Sequence, residues 1–170
     1  MNLYTAIAIY AAAMTAANLI LVGAVGAWGR GAIAIVSPLN AFFLIGLDLV
    51  LRDLLHVRLT RAQMLALIAA TGLLTFVLNP AAGHIAVASA CAFTAAALVD
   101  WGTFAKLNGL PWPQRSNASN AAGAAIDSLV FPTLAFGVLM PQVVALQFVA
   151  KVAGGAVWAF ILRNRAGQPA

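Results

Sequence analysis

Apolar residues run almost unbroken along this chain, and polar ones interrupt them in short clusters. A membrane-crossing helix needs about 20 mostly apolar residues. That length picks out runs near 3–25, 32–51, 62–79, 84–105, 118–139 and 142–162. The breaks fall at the Gly26–Gly31 cluster, from Arg52 to Arg61, at Asn79-Pro80, from Asn108 to Arg115, and at Met140-Pro141. The runs are continuously apolar rather than alternating, so they read as helices, which in lipid bond their backbone to themselves, and not as barrel strands. The expected fold is all-α: a single domain over 1–170, an integral membrane bundle of six transmembrane helices with short loops.

Composition agrees. The chain is 64% hydrophobic and 8% charged, against about 25% charged for soluble domains, which excludes a water-soluble globule. The net charge of +5 does not point to nucleic acid, because the basic residues flank apolar runs instead of lining a polar face. With six spans, Arg52, Arg58, Arg61, Lys106, Arg115, Arg163 and Arg165 share one side, and only Arg30 is on the other. Positive charge marks the cytoplasmic side, so a multi-pass protein of the cell (inner) membrane with both termini cytoplasmic is expected. The first 29 residues hold no Lys or Arg, which argues against a removable signal peptide. Cys91 is the lone cysteine, with two His and no Glu beside it; no disulfide framework, metal site or cofactor is expected.

Orientation turns sequence number into depth, at about 1.5 Å per residue. Asp127 lies ten residues into the fifth span and Lys151 ten residues into the sixth. The two helices run antiparallel, so both charges come to the midplane, about 15 Å deep. A charge there is costly unless paired or hydrated, and a functional role is its default reading. Either the two residues pair, or both line a polar cavity. Asn18 and Asn40 fall in the outer half. Asn120, Gly123 and Asp127 share a helix face, and Gly123 admits a close neighbour, helix or ligand. Asp48 and Arg52, four apart on one face, reach the inner mouth with Asp100 and Lys106.

Plainer roles suit other residues. Asp48 and Arg52 read first as a structural inner-mouth pair, and Arg58, Arg61, Arg163 and Arg165 as topology anchors. Asn18 can simply bond across helices. His84 reads as a solvated loop residue. Trp28, Trp101, Trp112 and Trp158 fit interfacial belts, unless one near the cavity stacks a flat ligand.

Five motifs in register resemble the queuosine precursor transporters, also called the vitamin uptake transporter family. They are TAANLI (15–20), IGLDLVLRD (45–53), ALVDWGTFAKL (97–107), SNASNAAGAAIDSLVFPTLAF (116–136) and ALQFVAKVAGGAVWAF (145–160). Beside that family the termini and loops look trimmed. The resemblance implies uptake of 7-cyano-7-deazaguanine or its aminomethyl relative, precursors of the modified base queuosine. It also implies a six-helix fold similar to the substrate-binding subunits of energy-coupling-factor vitamin transporters. Such a ligand presents a ring N–H beside an exocyclic amine, and an ionised Asp127 can accept both in a fork. Asn18, Asn40 or Asn120 can serve its carbonyl and pyrrole N–H, and an aromatic side chain can cover its face. Lys151 is the fifth candidate substrate-binding residue, while Asp48, Arg52 and Asp100 are candidate gating or inner-mouth groups.

An importer of small molecules is the favoured class. Another vitamin-like substrate and a non-transporting membrane scaffold are the alternatives. An enzyme lacks its nucleophile–base or metal constellation here, and a channel its charge ring or filter loop. The expected partners are the deazaguanine and the lipid bilayer, with no nucleic acid. A homodimer and an energising module both stay open.

The topology carries a direct test. In a Cys91-free background, Arg58→Cys should label from the cytoplasmic face and Arg30→Cys from the opposite face. Labelling of both from one side would contradict the six-span arrangement.

Overall fold

A computed structural model describes residues 1–56 and 58–162, without the side chains of Asp53, His56, Trp112, Pro113, Arg115 and Ser116. Arg163 and Arg165, and the side chains of Arg115 and Trp112, therefore lie outside the described residues. Among those described, the chain is a bundle of six helical rods with no strand.

The first rod, α1 (Leu3–Trp28), starts on an Asn2 cap that accepts from the Thr5 amide at 2.7 Å. It ends where Gly29 turns to φ 69°, a conformation open to glycine. The second rod is composite. A short 3₁₀ turn leads into α2 (Ile33–Asn40), then a π-helical turn (Ala41–Ile45), then α3 (Gly46–His56). The third, α4 (Arg61–Leu78), opens on a reciprocal Thr60–Gln63 capping box. After Pro80–Ala82 comes α5 (Gly83–Lys106). Next is α6 (Trp112–Phe136), with Pro113 in its first turn, where a missing N–H costs nothing, and Gly137 at φ 71° closing it. Pro141 opens α7 (Pro141–Leu162).

Two rods depart most from the apolar runs that announced them. The second continues to His56 instead of 51, because Arg52 is buried within the bundle. The fifth begins at Trp112 rather than near 118. Five rods are long and apolar enough to cross a membrane. The exception is α6, which has the length but carries Asn117, Ser119, Asn120, Asp127 and Ser128. Of these, Ser119, Asp127 and Ser128 are buried inside the bundle.

Two apolar clusters fill the bundle. Nearer the N-terminal face, Tyr10, Met14, Leu51, Leu55, Met64, Ile68 and Phe93 pack together. Nearer the opposite face, Leu21, Ile85, Ala88 and Ala135 form a smaller group, against which Val36, Phe131 and Phe136 lean.

The second rod meets α7 backbone to backbone. A Cβ on Gly46 would stand 2.7 Å from the Gly154 carbonyl carbon, and one on Gly154 would fall inside the Phe42 carbonyl. Small residues allow this approach, and it presses the π turn onto α7. A π turn leaves carbonyls without their usual donors. Trp158 answers one, its indole N–H donating to Phe43 O at 2.8 Å. This tryptophan thus ties helices together and does not stand only in an interfacial belt. Asn40, just before the turn, donates to Ala17 O on α1 at 2.7 Å.

Candidate functional site

Asp127 and Lys151 meet. Lys151 Nζ lies 2.8 Å from Asp127 Oδ2, and both residues are buried, at 5% and 1% exposure. An ammonium has three protons to donate, and here each has an acceptor. Besides the carboxylate, Nζ donates to Gln147 Oε1 at 2.8 Å and to Ser128 Oγ at 3.1 Å. Gln147 then donates through Nε2 to Ser37 Oγ at 2.6 Å. One polar chain therefore joins α6, α7 and α2 across the bundle.

Helix geometry explains the convergence. Gln147 and Lys151 are four apart and share a face of α7. Ser128 follows Asp127 directly, and Pro132 denies the Ser128 carbonyl its usual i+4 donor. Close packing of α7 on the second rod at Gly46 and Gly154 brings Gln147 within reach of Ser37.

This chain borders a narrow cavity of about 30 Å³, lined by Asn18, Ser37, Asn40, Ser89, Asp127, Gln147 and Lys151. Its apolar walls include Ile45, Phe93 and Phe131. The space is large enough to admit water. Asn18 and Ser89 face the space and, among the described residues, bond to no protein group. The lining thus offers an amide and a hydroxyl as yet unused.

The other expected residues fall into two groups. Asn18 and Asn40 line the cavity with Asp127 and Lys151, although Asn40 has committed one amide N–H to α1. Asn120 does not line it. Seven residues from Asp127, it sits about 10 Å further along α6; sharing a face did not mean sharing a depth. Asp48, Arg52 and Asp100 are all buried, at 0%, 0% and 6% exposure. They form a separate charged layer towards the N-terminal face. Arg52 lies 5.8 Å over the Phe93 ring, and Phe93 also lines the cavity. Phe93 thus lies between the two polar zones. Gly123 makes room for a neighbouring helix: a Cβ there would stand 3.2 Å from Asp100 Cβ and 3.7 Å from Arg52 Nη2.

Sequence reasoning missed Gln147, Ser128, Ser37 and Ser89. Only Gln147 carried a usable signal, its four-residue offset from Lys151. The described residues contain no group of three His, Cys, Asp or Glu placed to hold a metal.

The model of a family described as putative vitamin uptake transporter matches residues 5–162. No curated protein and no solved structure matches the chain.

The pairing has an energetic signature. Lys151→Met leaves a buried carboxylate without its cation and should cost about 3–5 kcal/mol. Adding Asp127→Asn strands no charge and should recover much of that loss. Thermal unfolding of the purified protein should place the single variant below the double one. Equal midpoints would show that the pair does not bear on the fold.

Proposed function

The chain belongs to the vitamin uptake transporter family, and from that premise we propose that it imports a queuosine precursor, 7-cyano-7-deazaguanine, through the cavity beside Asp127. The observation that carries this reading is a carboxylate held in the middle of a membrane bundle, at a cavity with an unused amide and hydroxyl. Such a site suits a flat, neutral heterocycle. Asp127 would accept the ring N–H and exocyclic amine of the guanine-like edge. Asn18 and Ser89 would serve its other polar atoms, and Phe93 or Phe131 its faces. Lys151 and the remaining oxygen of Asn40 complete the lining.

Ligand pockets usually enclose about 300–1,000 Å³, far more than this one. Import in this reading requires the bundle to open around the ligand. In this reading the N-terminal face is cytoplasmic and the membrane is the cell (inner) membrane. The buried layer of Asp48, Arg52 and Asp100 then lies between the cavity and the cytoplasm, as an inner gate. Asn120 sits at the level of that gate rather than among the ligand contacts. The deazaguanine assignment rests on the motif resemblance and on this edge chemistry; the family description by itself covers vitamins more broadly.

Asp127→Asn tests the reading. It sets an N–H donor against the ligand's own donors and removes a charge-assisted bond, worth about 1.5–3 kcal/mol or ten- to a hundredfold in affinity. Affinity for 7-cyano-7-deazaguanine should fall by that factor. Affinity for its analogue lacking the exocyclic amine should fall less, so discrimination narrows. An unchanged ratio between the two ligands would make Asp127 scaffolding.

A further inference from the structure

We propose that Lys151 is a tethered plug: its ammonium occupies the carboxylate that a ligand needs, holds the cavity shut, and gives Asp127 up when a ligand's N–H donors arrive. Three observations lead there. The cavity is too small for a bicyclic heterocycle. Asn18 and Ser89 are uncommitted towards it, whereas Asp127, the strongest acceptor in the lining, is already engaged by Lys151 at 2.8 Å. And Lys151 has a second place to go, since Gln147 Oε1 and Ser128 Oγ already hold it at 2.8 and 3.1 Å.

The four-carbon stem of lysine lets its head move while the helix stays put. A ligand edge carrying two adjacent donors can replace the ammonium on Asp127 without leaving either charge bare. An edge of acceptors cannot, because it would face the carboxylate with lone pairs. The plug therefore selects for donor edges before any other contact forms. It also keeps the empty site closed, because Gln147 transmits the hold on Lys151 to Ser37 of α2. The plug itself follows from the geometry alone; only the name of the displacing ligand rests on the proposed function.

The test reads cavity access by cysteine labelling. Ser89→Cys, in a Cys91→Ser background, is placed in bilayer nanodiscs so that both faces are wet, and treated with a methanethiosulfonate reagent. With Lys151 present the reaction should be slow. Lys151→Gln should speed it at least about tenfold, the population shift expected when a closing contact is lost. Lys151→Arg keeps a cation on Asp127 and should stay slow. Thr75→Cys, at a buried position outside the cavity lining, must remain unreactive in the same backgrounds, which separates opening from unfolding. Should Lys151→Gln expose Thr75→Cys as well, the double variant Asp127→Asn with Lys151→Gln strands no charge and decides by the same two rates. Labelling of Ser89→Cys at its original rate after loss of Lys151 overturns the plug. If 7-cyano-7-deazaguanine binds none of these proteins while loss of Lys151 still opens the cavity, the substrate assignment falls and the plug stands.

Discussion

Burying one ammonium and one carboxylate in the middle of an apolar bundle is the constraint on which the rest of this structure depends. Each ion alone would be too costly in such surroundings. Together they are tolerable only if the remaining protons and lone pairs are also matched. The fold meets that demand from three sides. Ser128 and Gln147 take the other two ammonium protons, and Ser37 steadies the Gln147 amide. The helix that brings Asp127 is the least apolar of the six rods, and it buries Ser119, Asp127 and Ser128 inside the bundle. Close backbone contact at Gly46 and Gly154 holds the second rod against the helix that brings Lys151. Well-packed apolar residues commonly hold a bundle together as well as a buried ion pair does. The pair is thus better explained by what it can do than by stability.

Layering along the bundle axis gives that chemistry a setting. A cavity with polar lining lies between two apolar clusters, the larger towards the N-terminal face. Phe93 belongs to the larger cluster, lines the cavity, and carries Arg52 on its ring. A change in the Asp48, Arg52 and Asp100 layer can therefore reach the cavity through one aromatic side chain. The second rod is the natural place for movement. Pro38 and the π turn after it weaken its hydrogen-bond ladder, and Ser37, just before them, is latched to Gln147.

Much of this was legible in the sequence, for reasons that also set the limits. Hydropathy reports depth, so the rods, and the level at which Asp127 and Lys151 stand, followed from apolar runs and charge placement. Adjacency brought the two to one level, since consecutive spans joined by a short loop must run antiparallel; that they pair as well as border the cavity came from the structure. Rotation about each helix axis is set by packing, which hydropathy does not see. Asn120 shares a face with Asp127 but stands about 10 Å further along α6, outside the cavity lining. Ser37 and Ser89 looked like ordinary small residues until neighbouring helices turned them inward. The π turn had no signature beyond Pro38. Arg52 read as the end of a span because charge normally marks one, yet the helix continues past it with the guanidinium inside.

The central claim is that the Asp127 site carries a deazaguanine across the membrane. Its most direct measurement is uptake of labelled 7-cyano-7-deazaguanine by cells unable to synthesise it, expressing this chain, its Asp127→Asn variant, or neither. The account predicts accumulation with the unaltered chain, and levels with the variant close to those of cells lacking the chain, at matched amounts in the membrane. Accumulation that is the same with and without the chain, or that survives Asp127→Asn undiminished, would contradict it.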